Sequence, residues 1–149
     1  MATRCGVGIH EPDNTVSGIY VHWDGGPEWA GRTLATCYTA VDKVRALVAH
    51  GACSSLGPDI GERHPFSEWR PEWCTFYRRD RGDTGGLPVH MDTPDAFYTW
   101  ARSSGAEFVY LYTGGRWRFI PATQSTARTE PDLWDEVAAV LNGAKHATA

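Results

Sequence analysis

Tyr20, His22 and Asp24 follow one another at intervals of two in the stretch Ser17-Gly-Ile-Tyr-Val-His-Trp-Asp-Gly-Gly-Pro27. Side chains at that spacing leave an extended strand on the same face, so a phenol, an imidazole and a carboxylate are predicted to share one surface. A histidine beside an aspartate can move protons near neutral pH or contact a ligand. The pair also supplies two of the groups a metal ion would require, with His10, His90 or Asp80 as sources of a third. The plainer alternative is that His22 hydrogen-bonds within its sheet and Asp24 closes the turn before Gly25.

A second group of chemistry-bearing residues is Arg78-Arg-Asp-Arg-Gly-Asp83. The planar guanidinium fork suits phosphate and carboxylate. Were Arg78 or Arg81 to point at the face carrying Tyr20, His22 and Asp24, the combination would suit a nucleotide-like anion. The alternative is a solvated loop in which Asp80 and Asp83 neutralise the arginines. Tyr20, His22, Asp24, Arg78 and Arg81 are therefore the candidate ligand-binding set. No metal or cofactor is expected, and no catalytic residue is assigned.

The elements that must position these groups are legible from periodicity and turn chemistry. Residues 3–10 and 15–24 read as a hairpin about the turn Glu11-Pro-Asp-Asn14, with Ile19, Val21 and Trp23 facing the core. Gly25-Gly26-Pro27 breaks the strand, and 28–37 reads as a short helix or irregular passage. Thr39 and Asp42 form a capping box for a helix whose stripe is Val41, Val44, Leu47 and Val48, closed by Gly51. Residues 52–71 are predicted to be a long surface loop carrying Ser54, Ser55, His64 and Trp69; loops of that length are usually functional or mobile. A strand over 73–79 and a short one over 87–91 follow. Thr93-Pro94-Asp95 opens a helix with Phe97, Trp100 and Ala101 on its buried stripe. Gly114-Gly115 turns a second hairpin that pairs Tyr112 with Trp117 and Tyr110 with Phe119. Those four rings could stack bases or pack against a helix. Thr129 and Asp132 cap a last helix, ending at Gly143.

The fold class expected from this order is α+β: a single domain over 1–143, with an antiparallel sheet built from hairpins and about three helices packed on it, and a frayed tail over 144–149. A chain of 149 residues, 42% hydrophobic, has material for one core. Its formal charge of −4 argues against general nucleic-acid binding, which needs a surplus of Lys and Arg on one face. There is no apolar run of about 18 residues to cross a membrane and no secretion-signal layout at the start, so a cytoplasmic protein is expected. Four scattered cysteines without a C-x-x-C pair read as free buried thiols. Phosphate-loop, zinc-protease, nucleophile-elbow and dinucleotide-binding patterns are all missing from the sequence.

Ile19-Tyr-Val-His-Trp-Asp-Gly25, with Pro27-Glu28, Gly31, Leu34, Tyr38 and Ser54-Ser-Leu-Gly57, resembles a family of small uncharacterised proteins encoded by phages and prophages. Arg79-Asp-Arg-Gly82 and Tyr110-Leu-Tyr-x-Gly-Gly-x-Trp117 extend the likeness over about the first four fifths of the chain. The chain departs from it at Gly26, where the family carries Tyr, and at Ala52, where it carries an acidic residue. The resemblance implies a phage or mobile-element setting and a host-cell cytoplasmic location. Small size and missing catalytic signatures then favour a non-catalytic binding protein, a counter-defence factor that sequesters a nucleotide-like signal or blocks a host protein. The rival expectation is a hydrolase acting on a phosphate-containing substrate with His22 and Asp24 at its centre. Exposed aromatics would allow a homo-oligomer.

Overall fold

The computed structural model describes residues 2–121 and Val137. The helix expected from Thr129 and the tail over 144–149 lie outside the described residues, apart from Val137, which is helical and buried in the main core. The α+β class holds: one seven-stranded sheet with helices packed against it. β1 (Cys5–His10) and β2 (Val16–Val21) form the first hairpin, with Cys5 opposite Val21 and His10 opposite Val16. At its turn Asn14 takes φ +74, and Asp13 Oδ1 accepts from the Thr15 amide and hydroxyl at 3.1 and 2.6 Å. The turn chemistry expected of residues 11–14 is therefore present.

A π-helical turn over Pro27–Gly31 runs into α1 (Arg32–Cys37) and is followed by α2 (Val41–Ala49). After it come β3 (Cys53–Ser55), β4 (Thr75–Phe76), α3 (Tyr77–Arg81), β5 (Val89–Met91), α4 (Pro94–Ser103), β6 (Phe108–Thr113) and β7 (Arg116–Pro121). The sheet order is β4-β3-β2-β1-β6-β7, and β5 pairs with the start of β2. It is mixed, not antiparallel throughout: β1 runs parallel to β6 and β2 parallel to β3. Helical crossovers between β2 and β3 make the parallel pairing possible.

Three local expectations need correction. The helix α2 starts without the Thr39 cap: Ala40 is its extended N-cap residue with no side-chain bond, and the Thr39 carbonyl instead accepts the Tyr112 hydroxyl at 2.8 Å. The loop expected over 52–71 contains strand β3. The strand expected over 73–79 lasts two residues and gives way to α3, because Asp80 turns back to accept the Phe76 amide at 2.7 Å and Gly82, at φ +84, closes the turn. Thr93 does cap α4, accepting the Ala96 amide at 3.1 Å. The second hairpin has the register its turn dictates, Tyr112 opposite Trp117 and Tyr110 opposite Phe119, with Gly114 and Gly115 both at positive φ.

The two sheet faces bury different cores. On one, Val7, Ile9, Ile19, Val21, Tyr110 and Phe119 meet Leu34 and Tyr38 and the α2 stripe Val44, Leu47 and Val48. On the other, Val109, Leu111 and Ile120 receive α4 through Phe97, Tyr98 and Ala101. The ladder Tyr110, Tyr112, Trp117 and Phe119 is buried, so its rings are core and not a stacking platform. Cys5, Cys53 and Cys74 are buried free thiols, and Cys37 is partly buried.

Phe97 lies over a floor made of glycine. A Cβ on Gly18 would sit 2.2 Å from the Phe97 ring, and one on Gly8 would sit 2.9 Å from it. Gly18→Ala is thus expected to destabilise the fold by about 1–3 kcal/mol through overpacking. Urea unfolding should show the loss, and an unchanged midpoint would mean that α4 is not seated there.

A tryptophan cleft as the candidate functional site

The strand that carries the predicted trio ends sooner than its pattern suggests. Regular pairing of β2 with β1 stops at Val21, and the next two amides turn to the other neighbour, His22 N–H donating to Cys53 O and Trp23 N–H to Ser54 O, each at 3.0 Å. Asp24 then adopts φ +55, a left-handed conformation uncommon outside glycine but accessible to aspartate. This corner breaks the alternation. Trp23, expected in the core, is 46% exposed, and Asp24 no longer follows from the parity of Tyr20.

Tyr20 and His22 do come together. The Tyr20 hydroxyl lies 2.7 Å from His22 Nδ1. Burial lowers the histidine pKa, with a further push from the positive charge of Arg4, and burial raises that of the tyrosine. Both shifts favour a neutral imidazole accepting from a protonated phenol. Arg4, which the sequence did not single out, is therefore the charged neighbour of this pair.

Arg78 and Arg81 bond elsewhere. Arg78 donates to the carbonyls of Thr84 and Gly85. Arg81 forms a two-pronged pair with Asp83, at 2.8 and 2.6 Å, and lies over the rings of Phe66 and Tyr77. Arg79 is half-buried: it binds both oxygens of Asp80 and the carbonyls of Ile60, Gly61 and Cys74. Among the described residues no cluster of three or more His, Cys, Asp or Glu side chains is disposed to hold a metal.

Asp24 opens instead on two adjoining hollows of about 330 and 470 Å³. Both are lined by Trp23, Asp24, Ser55 and Trp69. The first continues to Ser54, Phe66 and Thr75, and the second to Trp29, Thr33 and Leu56. Trp29 and Trp69 are 61% and 69% exposed. Among the described residues Trp23 has its only ring contact with His22, edge-on, while Trp29 and Trp69 have none, so their faces are open to a ligand. A separate hollow of about 370 Å³ beside Val41 and Tyr112 contains Arg45, already paired with Glu11 at 2.8 Å. Among the described residues the lining of the tryptophan cleft carries the Asp24 carboxylate and no cationic side chain.

A buried polar network supports the cleft from behind. His64 Nε2 lies 3.1 Å from the Thr75 hydroxyl and Nδ1 lies 2.9 Å from the Glu62 carbonyl, which fixes the ring with Nδ1–H donating and Nε2 accepting from Thr75. Asp80 accepts from the amides of His64 and Phe76 and from Arg79. Burial presses the Asp80 carboxyl upward, but the bonds from Arg79 and the two amides outweigh it and hold the group below its ordinary pKa. The sequence marked Ser54, Ser55, His64 and Trp69 as passengers of one long loop, and it missed Trp29, Thr75 and Arg4; seven tryptophans in 149 residues was the available signal.

No family model matches the chain, and neither the curated proteins nor the solved structures contain a match to it. No helix among the described residues is long and apolar enough to cross a membrane.

Because Asp80 has its pKa lowered by folding, the stability it contributes is complete above the ordinary carboxylate range and disappears as pH falls through the lowered value. Asp80→Asn is expected to cost about 2–4 kcal/mol at pH 7, since it leaves the half-buried Arg79 without its counter-charge. Urea midpoints across the acid range check this: the gap between wild type and variant should narrow as the pH is lowered, and a gap independent of pH would contradict it.

Proposed function

We propose that this is a small non-catalytic binding protein that captures an organic ligand in the tryptophan cleft. The observation that carries the reading is the set of three exposed tryptophans, Trp23, Trp29 and Trp69, around a carboxylate that has no partner among the described residues, in a concave site. Indole faces give large contact area at small entropic cost, and a few polar groups then fix orientation. Ser54, Ser55 and Asp24 are those groups here. Sequestration of a signal in a phage-infected cytoplasm, the setting the sequence resemblance implies, fits a site of this kind. A nucleobase could stack on the indoles, but Arg78 and Arg81 are committed to other partners, so an anion grip draws no support from them.

Hydrolysis is the second reading, favoured by a different group from the one expected. Thr75 contributes to the cleft lining and its hydroxyl faces the accepting nitrogen of His64. An imidazole so oriented can take the proton of an attacking hydroxyl. His22, bonded to Tyr20, has no such geometry.

Intrinsic fluorescence and native mass spectrometry against nucleosides, cyclic nucleotides, ADP-ribose and small organic cations test both. A saturable change is expected for at least one compound, recovered unchanged after denaturation, and weakened about tenfold or more by Trp69→Ala, consistent with roughly 1–3 kcal/mol per stacked ring. Trp69 is exposed, so circular dichroism should be unaltered. Binding that survives this substitution would overturn the site, and product formation lost in Thr75→Val would turn the reading to hydrolysis.

A further inference from the structure

The charge of the cleft narrows what it can hold. Of the residues lining its two hollows, Asp24 is the one ionisable group. Its side chain makes no hydrogen bond or ion pair among the described residues, whereas its carbonyl accepts from Ala30 N–H at 3.1 Å. The carboxylate is thus held at the cleft wall by a corner that takes φ +55, with no cation among the described residues paired to it. Around it stand the three exposed indoles, whose π faces are electron-rich and attract positive charge, tryptophan most strongly of all aromatic side chains.

Resting on the binding-protein reading above, we infer that the ligand carries an alkylated ammonium group, which sits against Trp23, Trp29 or Trp69 with Asp24 as its counter-charge. A carboxylate alone would attract any cation, and indoles alone any flat or apolar group. Their combination selects a cation that is large, weakly hydrated and unable to satisfy itself by hydrogen bonding, which describes a trimethylammonium head. An inorganic cation would need several oxygen ligands, and the lining offers a single carboxylate with the hydroxyls of Ser54, Ser55, Thr33 and Thr75. An anion would meet the Asp24 charge in a site whose wall, among the described residues, holds no arginine or lysine. The combined hollows are larger than a trimethylammonium group, leaving room for the body of a small molecule or for a side-chain stem.

Choline and its neutral isostere 3,3-dimethylbutan-1-ol have nearly the same shape and differ in charge. Titrated by tryptophan fluorescence at constant ionic strength, choline is expected to bind saturably and at least tenfold more tightly than the isostere. Asp24→Asn should reduce choline affinity several-fold and leave the isostere unchanged, and asparagine tolerates the left-handed backbone at this position, so the variant should fold. A trimethyl-lysine peptide and the unmodified lysine peptide form the second arm. Tighter binding of choline assigns the group to a free small molecule, and tighter binding of the methylated peptide assigns it to a modified protein. Equal affinity for choline and its isostere, or no saturable binding of choline or the methylated peptide, overturns the inference. If those probes fail while a nucleoside binds in a manner lost in Trp69→Ala, the cation inference falls and the cleft remains the site. If every compound fails, the binding-protein reading falls with it.

Discussion

Gly25 is held from two sides, and the cleft exists because of it. Its N–H donates to the carbonyl of Thr3 at 2.8 Å, and its own carbonyl accepts the buried hydroxyl of Tyr110 at 2.6 Å. A Cβ at this position would lie 2.8 Å from Thr3 O and 2.9 Å from the Cys5 side chain, so only glycine lets the chain pass so near β1. The clamp stops β2, forces Asp24 into its corner and sends the chain into the π-helical turn. Trp23 and Asp24 are turned outward on one side of it, and Trp29 is presented on the other. A buried carbonyl left without its donor costs about 1–3 kcal/mol, which measures how firmly Tyr110 fixes this corner.

The aromatic ladder of the second hairpin thus has a role beyond filling space. Its rings pack one face of the sheet while their polar tips reach across the core to backbone: Tyr110 to Gly25, Tyr112 to Thr39, and Trp117 Nε1 to the Tyr38 carbonyl at 2.8 Å. Each bond ties β6 or β7 to the segment between β2 and β3. The opposite wall of the cleft is fixed separately, by Asp80 and Arg79, which gather the carbonyls of residues 60, 61 and 74 and the amides of 64 and 76. A long connection without regular structure is therefore rigid at its base and exposed at Trp69. Function built on such a loop, over a fixed scaffold, is common.

Elements governed by local chemistry could be read from the sequence. Gly114-Gly115 determined the register of its hairpin, Thr93 capped α4, and Val44, Leu47 and Val48 of the expected α2 stripe faced the core, while Val41, in the first turn, is exposed. What could not be read depends on contacts between distant residues. The pattern of alternating apolar residues placed Trp23 inside, but β3 captures the amides of residues 22 and 23 and no local signal announces it. Thr39 and Asp42 had the spacing of a capping box, yet the Thr39 carbonyl was taken by Tyr112 from 73 residues away. Of the two readings of the arginines around residue 80, the one in which neighbouring aspartates neutralise them fits the structure, Arg79 pairing with Asp80 and Arg81 with Asp83; which arginine would turn inward could not be read from spacing. Tyr20 and His22 met as strand parity requires, while Asp24, beyond the corner, joined three tryptophans that no spacing rule relates.

The account rests on the exposed indoles, and they can be watched individually. Indole N–H resonances of the seven tryptophans, assigned by single substitution and followed as choline is added, report which rings the ligand touches. The expected result is a saturable shift of Trp23, Trp29 and Trp69 with Trp117, buried and bonded to Tyr38, unmoved. Shifts confined to Trp117 or other rings away from the cleft, or no shift of the three at any choline concentration, would contradict it.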